Sequence, residues 1–296
     1  MTEFHADDYG LFPAQSRRIL NCYNHGVLNG TSIIANGDEL EACLALLPQT
    51  GLRLSVHLNL LQGHCLAPKE DVSLLVDEQG VFRISFFRLL VCSFSFKKDS
   101  YKQQIKAEYR AQIYRLLPLL HAMHQTVRLD GHAHWHLVPV AFDALMELIQ
   151  EENLDVQYIR ISAEPIQLYL RHFFRILPFP PINIVKSLLL RLLARRDCRV
   201  WRKELAGMES KLFLGVLLSG CFDRHRLRVL LSDAEAMASQ EGRGLEILAH
   251  PGGVYEPDDQ ARITNSSDLR FFTSPARQTE AESFLMPDLH SRQGGI

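Results

Sequence analysis

The chain has 296 residues, 47% of them hydrophobic, with 32 Lys and Arg against 34 Asp and Glu for a formal net charge of −2. This describes a globular protein with a real core, as one large domain or two small ones, rather than a disordered or fibrous chain. The six cysteines are dispersed, with no Cys-x-x-Cys, so they give no zinc-ribbon or thioredoxin-like signature and fit a reducing compartment. Residues 1–8 lack the basic and apolar regions of a signal peptide, and no uncharged apolar run nears the ~20 residues that cross a bilayer. A cytoplasmic protein is expected, peripheral at most to the inner face of the membrane.

In chain order, Thr2 to Ala6 reads as a short strand running into Asp7-Asp8-Tyr9-Gly10. Pro13 opens a helix with Ile19, Leu20 and Tyr23 inward and Gly26 as its stop. Thr31 to Ala35 reads as a second strand, and Asp38 with Glu41 forms a capping-box-like start for a helix through Leu47. Leu52 to Leu60 is the clearest strand: Leu52, Leu54, Val56, Leu58 and Leu60 form one face, Ser55, His57 and Asn59 the other. A polar face in so apolar an element is expected to look into a site. Residues 62–100 are irregular and Phe-rich, a long connection expected to lie over one face.

Lys102 to His124 is a strong helix, with Pro118 as the place for a kink. Thr126 to Leu129 is a strand that delivers Asp130-Gly131-His132-Ala133-His134-Trp135-His136. If extended, that stretch points all three imidazoles to one face; if helical, His132 and His136 share a face. Ala141 to Glu152 reads as a helix and Val156 to Ile161 as a strand ending at Arg160. From Gln167 to Lys203, nine Lys and Arg stand against one acid, Asp197, interleaved with Phe, Ile, Leu and Val and broken at Pro178–Pro181. This basic amphipathic insertion, about 167–203, reads either as ordinary helices with a solvated basic face or as a surface for an anionic membrane or a lipid-linked substrate. Nucleic acid is not expected, because the basic residues alternate with aliphatics rather than stacking aromatics. A helix from about His225 to Gln240 and a strand from Gly244 to Ala249 lead to His250-Pro251-Gly252-Gly253. In the tail, Leu269–Phe272 and Phe284-Leu285 are the core-like residues, and residues 291–296 read as frayed.

Alternating strands and helices predict an α/β architecture with a mainly parallel sheet. The chemically active residues fall where strands end: Asp7 and Asp8, His57, Asp130 and His132, Arg160, His250. In a parallel β/α barrel those ends converge on the face that carries the chemistry. Together they hold what hydrolysis of an amide or ester needs. Carboxylate and imidazole ligands suit a divalent cation that activates water, a second carboxylate can take the water's proton, and a separate acid can protonate the leaving group.

At these residues the sequence resembles the YdjC-like carbohydrate deacetylases. The resemblance rests on Ala6-Asp7-Asp8-Tyr9-Gly10-Leu11, Thr31–Gly37, Val56–Leu60 with Gly63, Asp130–His136, Ile159-Arg160-Ile161 with Glu164, and Glu246–Gly252. It implies a distorted, incomplete β/α (TIM-like) barrel, a single domain over 1–296, that removes acetyl groups from N-acetylated sugars with magnesium, or else zinc. Carried over by motif, Asp8, His57 and His132 are the implied metal ligands, Asp7 the general base and His250 the acid. Arg160 is implied to orient a catalytic carboxylate, with Asp130, His134 and His136 orienting an imidazole or lining the cleft, and His136 as reserve for the third ligand. Two departures stand out: the first strand is short, and His5 replaces an Asn. The expected partners are an N-acetylated carbohydrate and, through the basic segment, an anionic membrane or lipid-linked glycan, with a homodimer left open. Competing readings are a metal-dependent phosphoesterase or amidohydrolase, and a non-catalytic glycan- or lipid-binding protein on the same fold.

Overall fold

The structure is a computed structural model that describes residues 1–48, 51–263 and 266–286; the segment 291–296, read above as frayed, lies outside them. Among the described residues seven strands are formed: β1 (Thr2–Tyr9), β2 (Gly30–Ile33), β3 (Arg53–Leu58), β4 (Val127–Gly131), β5 (Val156–Ile159), β6 (Lys211–Leu214) and β7 (Gly244–Ala249). They make one sheet in the order β5-β4-β3-β2-β1-β7-β6, with every pairing parallel. The sheet curls until its edges meet at a single parallel bridge between Tyr158 and Glu209, where the Glu209 amide donates to the Gln157 carbonyl at 2.7 Å. This is the expected distorted, incomplete β/α barrel.

Period-two alternation sorts the strand residues into an outer apolar set and an inner polar one. Phe4 and Ala6, Leu54, Val56 and Leu58, Leu212 and Leu214, and Leu245 and Ile247 are all buried, as helix-covered outer faces require. The inner series is Glu3, His5 and Asp7 on β1, Ser32 on β2, Ser55 and His57 on β3, Arg128 and Asp130 on β4, Tyr158 on β5 with Arg160 just beyond it, Lys211 on β6 and Glu246 on β7. These too are buried, so they must satisfy one another. Arg128 donates to both Glu3 oxygens at 2.9 Å, and Lys211 also binds Glu3. The Tyr158 ring lies under both cations, 4.6 Å from the Arg128 guanidinium carbon and 4.4 Å from the Lys211 nitrogen. The lower barrel is therefore filled by a charge network, and the C-terminal strand ends are left for chemistry.

Several expectations need correction. β1 runs three residues further than its apolar pattern suggested, because it pairs β7 through Ala6 and rejoins β2 at Tyr9 after a register shift. The helix expected through Leu47 is only Leu40–Leu44, and Glu39 at its N-cap makes no side-chain cap. Residues 62–100 hold a short 3-10 turn at Lys69–Val72 and a helix at Phe86–Cys92, and the following helix begins at Lys98 and runs to Ala122 with Pro118 inside it. β6 was not anticipated, since Lys211-Leu212-Phe213-Leu214 is too short to show a period. The basic segment forms helices Ile166–Arg171, Phe173–Ile176, Pro181–Val200 and Arg202–Leu205, all between β5 and β6. Among the described residues no helix is long and apolar enough to cross a membrane.

Glu164 ties that connection across the barrel gap. Its carboxylate accepts the amides of Gly215, Val216 and Leu217 at 2.9, 3.1 and 2.9 Å, and the hydroxyls of Tyr169 and Ser187 at 2.7 and 2.8 Å. Glu164→Ala strands three buried amides, each costing about 1 kcal/mol or more. The expected loss is about 3 kcal/mol or more in urea unfolding; a variant as stable as the parent would show that this clasp does not hold the gap.

Candidate active site

The end of β1 places two adjacent carboxylates in different surroundings. Asp8 takes a left-handed backbone, φ 71°, which Asp tolerates better than most residues. Gln15, from the helix Pro13–His25, stabilises the turn by donating its side-chain amide to the Asp8 carbonyl at 2.6 Å. The reversal turns Asp8 back to the cleft side, where both carboxylates approach His57 Nε2, Asp7 at 3.9 Å and Asp8 at 3.4 Å.

Asp7 faces Arg160, whose Nη1 lies 2.9 Å from both Asp7 oxygens. The same guanidinium donates through Nε to Glu246 at 2.6 Å, and its Nη2 sits 3.0 Å from Asp130 Oδ2 as an ion pair, off the line of a hydrogen bond. Asp8 faces imidazoles: its Oδ1 is 2.8 Å from His132 Nδ1 and 3.4 Å from His57 Nε2. Burial pushes the Asp8 carboxyl up, but His132 and His57 outweigh it and hold the group well below the usual carboxylate range.

His57 is fixed from behind by Asp130, whose Oδ1 lies 2.6 Å from its Nδ1. Its Nε2 is buried and has no hydrogen-bond partner. Burial lowers the basicity of His57, yet Asp7 and Asp130, with help from Asp8, raise its pKa to about 10. Asp130 is held far below the ordinary range: burial opposes ionisation, but Arg160 and then His57 overcome it. Ser32 also donates to Asp130, and its hydroxyl lies 2.6 Å from His5 Nε2. His5, the residue standing where the resemblance expects Asn, is thus absorbed into the buried network through Ser32 and Glu3, the latter at 2.8 Å.

Asp8, His57 and His132 each offer a ligand atom, all within 4.8 Å of one another. This is a donor set of one carboxylate and two imidazoles, with one nitrogen orphaned and its ring held by a carboxylate behind it. It fits a divalent cation that keeps open positions. A second cluster, His5, Asp7 and Asp130, is equally close, but its atoms are engaged by Glu3, Ser32 and Arg160.

The histidine stretch is neither extended nor α-helical. It forms a tight turn at His132–Leu137 with Ala133 and His134 in left-handed backbone, φ 50° and 62°. The three imidazoles therefore diverge. His132 meets Asp8. His134 pairs with Ser162 at 2.9 Å and sets its ring edge-on to Phe213; burial, then Arg160, hold it neutral, well below its ordinary value. His136 turns under the strand ends and donates Nε2 to the Arg160 carbonyl at 2.8 Å, and burial lowers its pKa to about 4. The structure does not bring His136 to the Asp8 cluster, so the His-x-x-x-His pair is not a shared ligand pair here.

His250 arrives from the end of β7. Its Nδ1 lies 3.3 Å from a Glu280 oxygen, leaving Nε2 for chemistry, and its ring packs edge-on against Phe271. Burial pushes Glu280 up, but Arg277 and His250, with the Gly220 amide, bring its pKa down to about 2. Glu280 carries no signal in the sequence, because its partner lies far away along the chain, whereas Ser32 and Glu164 belong to the motifs of the resemblance but show nothing there of their contacts. Asp7, Asp8, His132, His134 and His250 line one cavity of about 600 Å³. Much of its remaining wall is apolar, including Phe86, Trp135, Ile182, Val185, Leu189 and Phe271.

A carbohydrate deacetylase of Thermoanaerobacter pseudethanolicus is 30% identical over 164 residues, 54% of this chain and 61% of that protein. A chitooligosaccharide deacetylase of Proteus mirabilis is 25% identical over 54% of this chain and 59% of its own length. The matches to these relatives thus span about three fifths of their length. A crystal structure from Enterococcus faecalis, provisionally assigned to cellobiose-phosphate cleavage, superimposes with a TM-score of 0.67 over 98% of this chain and 92% of its own at 16% identity, which shows a shared fold. The YdjC-like protein family matches residues 3–292, and the chain belongs to that family.

Proposed function

We propose that the protein is a metal-dependent hydrolase that removes the acetyl group from an N-acetylated carbohydrate. One observation carries the reading: the buried Nε2 of His57, which makes no hydrogen bond, converges with His132 on the Asp8 carboxylate. The names of the relatives supply the substrate class. Asp8, His57 and His132 would hold the cation, which when bound polarises the acetyl carbonyl and acidifies a water. Two imidazoles and one carboxylate suit zinc better than magnesium, so the donor chemistry and the family resemblance pull toward different ions.

The remaining steps belong to the protein. Asp7, pinned by Arg160, takes the proton as water oxygen bonds to the carbonyl carbon. His250, held through Nδ1 by Glu280, gives a proton from Nε2 to the nitrogen as the C–N bond breaks, releasing acetate and a free amine. Asp130 keeps His57 Nε2 turned to the ligand position. The apolar cavity wall supports the finer reading that the sugar is carried on a lipid.

Two measurements test this, and a third tests the carboxylate that holds His250. Asp8→Ala and His132→Ala should each lose bound metal and at least about a hundredfold in amine release, as a chelator should for the parent; full metal content with unchanged activity would sink the assignment. His250→Ala should lower kcat by about 10² to 10⁴ with metal retained, whereas an unchanged rate would remove it from the proton path. The third concerns stability in acid. Glu280 has a folded pKa of about 2 against the usual 4.5. Its contribution, on the order of 3 kcal/mol, is present above pH 4.5 and is lost as pH falls toward 2. Urea unfolding across that window should be flatter for Glu280→Gln, and equal slopes would show that Glu280 is not held as described.

A further inference from the structure

Two elements that form the apolar wall of the cavity also carry large exposed apolar side chains on their outer sides. Phe86 and Phe87 line the cavity from the helix Phe86–Cys92, and beyond them Val91, Phe94 and Phe96 are 68%, 79% and 95% exposed. Ile182, Val185 and Leu189 line it from the helix Pro181–Val200. One stripe of that helix continues outward through Val185, Leu188 and Leu192, which are 60%, 47% and 60% exposed. The two elements are held side by side: Lys98, just after Phe96, and Arg196, near the end of the second helix, both bind Asp143. The apolar surface is thus continuous from the cavity lining to the outside.

Charge identifies what this surface fits. Residues 86–98 and 167–203 contain twelve Lys and Arg and one acid, Asp197, and that acid is buried. Lys97, Arg175, Arg195 and Arg199 in these segments are exposed, and Arg195 and Arg199 follow Leu188 and Leu192 at helical spacing. A second copy seated on the same patch would bring like charges together, because a two-fold interface faces itself. An anionic bilayer satisfies both features, since acyl chains take the Phe, Leu and Val tips while headgroups take the cations.

We propose that this two-helix face seats on an anionic lipid surface, with the cavity mouth turned toward the bilayer. Aromatic side chains would sit at the headgroup boundary. The apolar part of an amphiphilic substrate would then pass along Phe87, Ile182 and Val185 while its sugar reaches Asp8. The docking stands on exposure and charge alone; only the orientation of the mouth rests on the hydrolase reading.

The full chain should co-sediment with vesicles of phosphatidylcholine mixed with phosphatidylglycerol, and not with phosphatidylcholine alone. Salt should release it. Phe94→Ser with Phe96→Ser, and separately Arg195→Glu with Arg199→Glu, should each reduce vesicle partition on the order of tenfold. Both double variants should keep the parent's circular dichroism and its hydrolysis of a short soluble N-acetyl sugar. Wild-type protein left in the supernatant with anionic vesicles would overturn the proposal, as would variants that sediment like the parent. A wild-type dimer broken by the same substitutions would instead assign the face to a second copy. Vesicle binding without amine release from any substrate would leave the docking intact and count against the hydrolase reading.

Discussion

The site depends on the buried guanidinium of Arg160. It meets Asp7, Asp130 and Glu246, carboxylates from three strands that are not consecutive in the chain, and its own backbone carbonyl is held by His136. A buried arginine is costly unless its charge is matched and its donors are filled. Here the match also positions each partner. Glu246 is fixed further by Tyr158, and Asp130 in turn fixes His57. Removing the guanidinium would leave three buried carboxylates facing one another, so the placement of Asp7, of Asp130 and, through Asp130, of His57 stands or falls together.

Adjacent aspartates also come to sit in different surroundings. In a regular strand, successive side chains point to opposite faces, and Asp8 would be driven into the helix-covered layer outside the barrel. The left-handed backbone at Asp8, secured by Gln15, turns it back toward the cleft beside His132. Asp7 keeps the inward position its strand register assigns and meets Arg160. Backbone strain of this kind is retained where the surroundings over-determine it, and such places concentrate at functional sites.

Much of this was legible in the sequence. The strand Leu52–Leu60 declares its polar inner face by strict alternation, and the placement of Asp7, Asp8, His57, Asp130, Arg160 and His250 at strand ends follows from the same periodicity. What could not be read was anything set by distant partners. The sequence alone left the histidine stretch open between strand and helix; it became neither, because Ser162, Asp8 and the Arg160 carbonyl each take one imidazole in a different direction. β6 has too few residues for a period, and it exists because β7 supplies its ladder. Glu280 lies in a tail whose sequence shows few core-like residues, and its burial against His250 is created by the fold. The exposed Phe94 and Phe96 looked like part of a cover over the barrel, yet they face away from it.

Charge counting inside the barrel bears on the cation. Five carboxylates lie in the buried network, Glu3, Asp7, Asp8, Asp130 and Glu246, against three fixed cations, Arg128, Arg160 and Lys211. With every histidine neutral, two negative charges are left over in a region from which water is largely excluded. Such an excess is expensive in a medium of low polarity. Protons can offset it, and the high pKa of His57, about 10, reflects that pressure. A divalent cation between Asp8, His57 and His132 would offset it completely while leaving both imidazoles neutral, the form in which they bind metal. The interior charge is a property of the whole network, and the donor geometry of three side chains. Both fit an ion of charge two at the mouth of the barrel, beside the Asp7 carboxylate that Arg160 pairs with.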